Sequence, residues 1–276
     1  MTTPVTVPAL QQMKREGRKI VGVVAWDHQI AQIVYRAGVD IVSVGDTVGT
    51  NLWGHANPLE VTMDEMIIVA KAVRRGVKRA LLSVDFPFGP LQEGSEAALR
   101  AAIRFVKEAG VDMIKLDGAA EFPDAVRAIT RAGIPVFAQF GVTPQTALQF
   151  GIEYKSMLKT GVQLPAAMTA QLVADAKRLE DAGAALLDFT HSGPIAGPAA
   201  VAAVAIPVVG GLGGGPWLDG RMRMAHAAIG YAANTIDQPT ETYAQVARIT
   251  LDAITAYADD VRAARQIKGG IPVKPA

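Results

Sequence analysis

Short aliphatic runs recur along this chain, separated by helix-like stretches, and three successive runs finish on an aspartate. Ile41-Val42-Ser43-Val44 stops at Gly45 and delivers Asp46 and Thr47 into a glycine-punctuated loop. Leu81-Leu82-Ser83-Val84 ends in Asp85, and Met113-Ile114-Lys115-Leu116 ends in Asp117. Runs this apolar belong to strands covered on both faces, which is how parallel strands sit in α/β proteins. A strand that ends on a carboxylate presents a ligand group where its chain leaves the core.

The alternation extends along most of the sequence. Ile20 to Ala25 reads as a first buried strand, ending at Trp26-Asp27, and Gln29 to Ala37 as the helix after it. A short amphipathic helix over residues 10–18 precedes them. Thr62-Met63-Asp64-Glu65 is a capping box, and the helix it starts closes at Arg74-Arg75-Gly76. Strands follow at Ala80 to Asp85, Asp112 to Asp117, Ile134 to Phe140, Ala185 to Thr190 and Ile206 to Gly210. Helices are expected over Ser95 to Ala109, Pro123 to Ala132, Thr169 to Ala182 and Gly197 to Val204. Gly141 to Leu164 is an irregular excursion. An eighth repeat, Arg221 to Ala228, carries the weakest signal, and Thr240 to Ile267 reads as one long helix.

With 276 residues, half of them hydrophobic, the chain has the size and core of one (β/α)8 TIM barrel in a single domain over residues 1–276. A doubly wound open sheet is the competing architecture, but no dinucleotide fingerprint follows the first strand. Net charge is +1 without a dense basic cluster, so a nucleic-acid partner is not expected. No apolar run approaches the roughly 20 residues of a membrane span, and the first residues lack the apolar core of a signal peptide. With no cysteine, thiolate chemistry and disulfides are excluded, and a cytoplasmic location is expected.

In an eight-fold barrel the C-terminal strand ends form the active-site rim, which would gather Asp46, Asp85 and Asp117. Carboxylates without cysteine or paired histidines suit a hard cation that keeps several waters, magnesium first. The opposing interpretation is that each aspartate caps a following helix. Lys115, two residues before Asp117, shares its side of the strand. An ammonium there must be paired or used, since an unpaired buried charge is costly. A structural ion pair and a charge held against an anionic substrate or enolate both satisfy that. The GGLGGG turn (Gly210 to Gly215) fits either a phosphate cradle or a tight strand-to-helix turn.

The motifs VGDTVG, GHANPLEVTMDEM followed by AKAVRRG, LLSVDFPF, MIKLDG, FGVTPQ and IPVVGGLGGG with a later DG occur in order from about Val21 to Gly230. Together they resemble the ketopantoate hydroxymethyltransferase family, within the phosphoenolpyruvate mutase and isocitrate lyase superfamily. That resemblance implies a (β/α)8 barrel that binds Mg2+ and moves a hydroxymethyl group from methylenetetrahydrofolate to a 2-oxo acid, assembled as a homo-oligomer, commonly a decamer. It implies Asp46 and Asp85 at metal-site positions, Asp117 where the family has glutamate, and Thr47 in place of a substrate-contacting serine beside Gly45. Asp85 would also border the substrate, and Lys115 matches the family lysine.

Two positions depart from the pattern. The family's catalytic glutamate aligns with Thr190, and a threonine does not accept a proton near neutral pH. Gln139 stands where the family has a substrate-contacting histidine. Both remain candidate substrate contacts. Asp188, two residues before Thr190 on the same strand face, and His191, at the strand end, are the candidates for a replacement base. The reactions left open are hydroxymethyl transfer, carbon–carbon cleavage of a different 2-oxo acid, and binding of such an acid without turnover.

Overall fold

The computed structural model describes residues 3–153, 157 and 166–270. Residues 154–156 and 158–165 of the expected excursion lie outside that description. Eight parallel strands pair in sequence order and close on themselves: β1 (Ile20–Val24), β2 (Ile41–Val44), β3 (Leu81–Asp85), β4 (Met113–Leu116), β5 (Val136–Gly141), β6 (Leu186–Thr190), β7 (Val208–Gly210) and β8 (Gly220–Met224). The barrel expected from the sequence is the one observed.

Strand pleating sorts each strand into an inward and an outward set. The inward residues at the lower end, Ile20, Ile41, Leu81, Met113, Phe137, Leu186, Val209 and Met222, form one apolar cluster. Helix α1 (Val7–Arg15) closes that end by inserting Leu10 and Met13. Gly22 has a packing role here, since a Cβ at that position would overlap the Met222 sulfur. Two residues further along the same faces, the composition changes to Ser43, Ser83, Lys115, Gln139 and Asp188, all buried. The aliphatic plug thus ends one layer below the rim, and polar chemistry begins where the plug stops.

Helices α2 (His28–Arg36), α3 (Met63–Gly76), α4 (Ser95–Arg104), α5 (Pro123–Arg131), α6 (Thr169–Asp181) and α7 (Ala196–Ala203) follow successive strands. Several ends differ from expectation for local reasons. Helix α1 starts at Val7 rather than near residue 10, because the Thr6 hydroxyl accepts from the Ala9 amide and a proline occupies the first turn. The helix begun at Ser95 passes into a π-helical turn, Phe105–Ala109, before Gly110 ends it in the left-handed region. The eighth strand is present but ends before the expected segment does: β8 stops at Met224, and Ala225–Ala228 is a helical turn, α8.

The chain forms two compact units, Met1–Met224 and Ala225–Ala276. The first contains the whole barrel. In the second, the stretch expected as helix from Thr240 to Ile267 is helical only over α9 (Val246–Arg262). Residues Thr240 to Gln245 instead run beside the chain at residues 228–230, where Tyr243 and Val246 donate amide hydrogen bonds to the Ala228 and Ile229 carbonyls. Among the described residues no helix is long and apolar enough to cross a membrane.

Candidate active site

The strand ends and their loops surround a cavity of about 100 Å3 that opens to solvent. One wall is polar, with Ser43, Asp46, Thr47, Asp85, Lys115, Asp117, Gln139 and Asp188. The other carries Val24, Leu212, Met222 and Met224, with Arg223 bordering the cavity between the two methionines. Gly45, Asp46, Thr47, Asp85, Lys115, Asp117 and Gln139 all border this one space, as their positions at strand ends required.

Lys115 sits at the centre of the polar wall. Its Nζ lies 3.2 Å from Asp85 Oδ2 and 3.2 Å from Asp188 Oδ2, so two strands flanking the barrel axis are tied through one ammonium. The Ser83 hydroxyl donates to Ser43 Oγ at 2.6 Å, and Ser43 donates to Asp85 Oδ1 at 3.4 Å. Both serines interrupt otherwise aliphatic strands at inward positions; they were not singled out by sequence, although that interruption is a signal that could have found them. Gln145, from the FGVTPQ segment, was not singled out by sequence. Its Nε2 donates to Asp46 Oδ2 at 3.0 Å and to the Phe86 carbonyl at 2.9 Å, and its amide donates to Asp117 Oδ2 at 3.4 Å. Nothing in its local spacing reveals this role, because the loop after β5 must fold back over β2 and β4 to create it.

Crowding of buried acids shapes their protonation. Burial pushes Asp46 up to about 7, and the charge of Asp85 adds to the effect against the hydrogen bond from Gln145. Burial likewise pushes Asp117 up to about 8, with Asp46 contributing. Asp85 is raised too, since burial outweighs the pull of Lys115. For Lys115 burial acts to lower the value, but Asp85, Asp188, Asp46 and Asp117 together hold the ammonium above its ordinary range.

The three rim aspartates do not close into a cage. Among the described residues no group of three or more Asp, Glu, His or Cys side chains is arranged to hold a metal ion by itself. The donor chemistry nevertheless fits magnesium, which takes one or two carboxylates and fills its other positions with water and substrate oxygens. Asp117 Oδ1 is buried without a hydrogen-bond partner among the described residues. With Asp46 and Asp85 mutually repelling beside it, a divalent charge would relieve both defects.

On β6, Thr190 does not border the cavity; its hydroxyl accepts from Gln139 Nε2 at 3.0 Å. The two departures from the family pattern therefore satisfy one another. His191 is buried, in the left-handed region at φ 55°, and is likewise absent from the cavity wall. Its amide donates to the Leu212 carbonyl at 2.7 Å. A Cβ on Gly213 would lie 2.9 Å from its Cα and 3.0 Å from its Nδ1, so glycine in that turn is required by the histidine beneath it. The tight-turn interpretation of GGLGGG is thereby accounted for by packing. His55 Nε2 approaches Glu65 Oε1 at 3.5 Å at the start of α3, outside the cavity.

A parallel eight-stranded barrel with a polar cavity at the C-terminal ends of its strands is the architecture of a barrel enzyme that acts on a small molecule. The ketopantoate hydroxymethyltransferase family model matches residues 4–266. The 3-methyl-2-oxobutanoate hydroxymethyltransferase of Salinibacter ruber is 36% identical over 258 residues, covering 94% of this chain and 95% of that protein. The enzyme of the same name from Geobacillus kaustophilus is 35% identical over 250 residues, covering 91% and 87%. The chain belongs to the ketopantoate hydroxymethyltransferase family and is an enzyme of the transferase class. Among solved structures, phosphonopyruvate hydrolase in complex with oxalate and Mg++ shares the fold at 14% identity and TM-score 0.61, covering 97% of this chain and 91% of that one. The 2,3-dimethylmalate lyase of the PEP mutase/isocitrate lyase superfamily shares it at 15% identity and TM-score 0.58, covering 93% and 98%.

Proposed function

We propose that this protein forms or breaks a carbon–carbon bond next to the oxo group of a 2-oxo acid, in the presence of Mg2+. Hydroxymethyl transfer from methylenetetrahydrofolate to 3-methyl-2-oxobutanoate is the first reaction to test. The observation that carries this is Lys115: one ammonium fixed 3.2 Å from two carboxylates on the wall of a cavity with an acidic rim. Such a charge, held in place before substrate arrives, stabilises negative charge that develops on a substrate oxygen.

Asp46, Asp85 and Asp117 would hold magnesium, and the ion would supply Lewis-acid polarisation of the 2-oxo acid. Thr47 offers its hydroxyl to the substrate carboxylate. Gln139, its amide nitrogen already committed to Thr190, presents an amide rather than an ionisable group. Val24, Met222 and Met224 form an apolar wall suited to the substrate's alkyl end and exclude water from it. Because neither Thr190 nor Gln139 titrates near neutral pH, cleavage of a different 2-oxo acid is the second reading. We also infer that copies associate, on the strength of an apolar stripe left exposed along α9.

The test is loss of the C3 proton of 3-methyl-2-oxobutanoate in heavy water, followed by NMR with and without Mg2+, then product formation with methylenetetrahydrofolate. Mg2+-dependent exchange and transfer are expected. Exchange without transfer, on this acid or on others, favours the cleavage reading. Absence of exchange across a panel of 2-oxo acids that still bind by calorimetry would make the protein a binding homologue.

A further inference from the structure

The cavity wall contains one carboxylate that the metal site does not use. Asp188 is 4% exposed, on the inward face of β6, level with Gln139 on β5. Lys115 occupies its Oδ2 at 3.2 Å, whereas Oδ1 has no hydrogen-bond partner among the described residues. A carboxylate can accept at both oxygens, and an unused buried acceptor is uncommon enough to need a reason. The other acid–base candidates on this strand end are accounted for elsewhere. Thr190 is engaged with Gln139, and His191 packs beneath the Gly213 turn, off the cavity wall.

Building on the 2-oxo acid reading, we propose that Asp188 is the general base that removes the C3 proton of the substrate. Lys115 fixes the carboxylate by Oδ2 at the cavity wall, and among the described residues no group uses its remaining acceptor. The C3–H bond breaks and its proton passes to the Asp188 carboxylate, which borders the cavity. The bonding pair becomes the C2–C3 double bond of the enolate, and the carbonyl π pair moves onto oxygen. That oxygen lies on the same wall as the ammonium that holds the base, so one lysine serves the acceptor and the developing charge together. The arrangement moves the base one inward layer deeper than Thr190, and it explains how enolisation is retained with a threonine there.

The test uses deuterium exchange at C3 of 3-methyl-2-oxobutanoate, with Mg2+-dependent oxalate binding measured by calorimetry to report an intact site. Asp188→Asn is expected to slow exchange about 100-fold or more while oxalate still binds. In Asp188→Ala, added formate is expected to restore exchange, which a merely structural residue would not allow. His191→Ala is expected to exchange like wild type. Exchange in Asp188→Asn similar to wild type, or no response of Asp188→Ala to formate, overturns the assignment. Loss of oxalate binding in both variants makes Asp188 structural and overturns it as well. A wild type that exchanges no 2-oxo acid removes the parent reading, a different result from a wild type that exchanges and an Asp188→Asn that does so equally.

Discussion

At the scale of single residues, the site is a balance of buried charges that no one group could hold alone. Replacing Lys115 by methionine keeps much of its length but strips the shared counter-ion from Asp85 and Asp188, so thermal or chemical denaturation is expected to show a loss on the order of 3 kcal/mol. A variant as stable as wild type would show that the two carboxylates do not depend on the ammonium. Asp46 and Asp117, raised to about 7 and about 8, set a pH dependence whose sign is fixed. Their protons are bound more tightly in the folded chain than in the unfolded one. The stability they contribute without metal is therefore complete below pH about 4 and is lost as pH rises through 7 and 8. Magnesium bound by these aspartates would compete with those protons. The rise in melting temperature on adding Mg2+ should accordingly be larger at the alkaline end of that range than at pH 6, and an equal rise at both would remove these aspartates from the metal site. Gln145→Ala should weaken Mg2+ binding by about tenfold in calorimetry, because it frees the Asp46 carboxylate that the amide orients.

Elements show which parts of this arrangement could be read in advance. Residues whose role follows from strand parity were legible: Asp85, Lys115 and Asp117 border the cavity because every second residue of a strand faces the same way. The capping box was equally local, and Thr62 Oγ1 does accept from the Glu65 amide while Glu65 Oε2 accepts from the Thr62 amide. Removing the cap in Thr62→Ala should cost about 1 kcal/mol in denaturation with exchange activity unchanged, since α3 begins beyond the cavity. A lower exchange rate at equal stability would instead tie the cap to the loop carrying Asp46. Gln145 was not legible, because its partners lie on three other segments. Strand β8 was only half legible for another reason. Arg221 and Arg223, both exposed, break the aliphatic run, and Arg223 also borders the cavity, while register with β1 from Ile20↔Gly220 to Val24↔Met224 still makes it a full strand.

At the scale of the whole molecule, α9 carries more apolar surface than a lone helix keeps in water. Leu251, Ile254 and Val261 are exposed, and together with the part-buried Ala258 they fall at alternating spacings of three and four residues. That is the seam by which two helices pack side by side, each knob entering a hole on its neighbour. Tyr257, half exposed, borders the same stripe. A second copy offers a matching seam by symmetry, so closed association of identical chains is the simplest way to cover it. Sedimentation should therefore give a mass that is a multiple of the 29.0 kDa chain. Leu251→Glu combined with Ile254→Glu should reduce that mass by placing unpaired carboxylates in the seam, while circular dichroism of the barrel is unchanged. A wild-type chain sedimenting at 29.0 kDa over a wide concentration range would show that this stripe is not an interface between copies. An unaltered multimer in the double variant would place the interface on another surface.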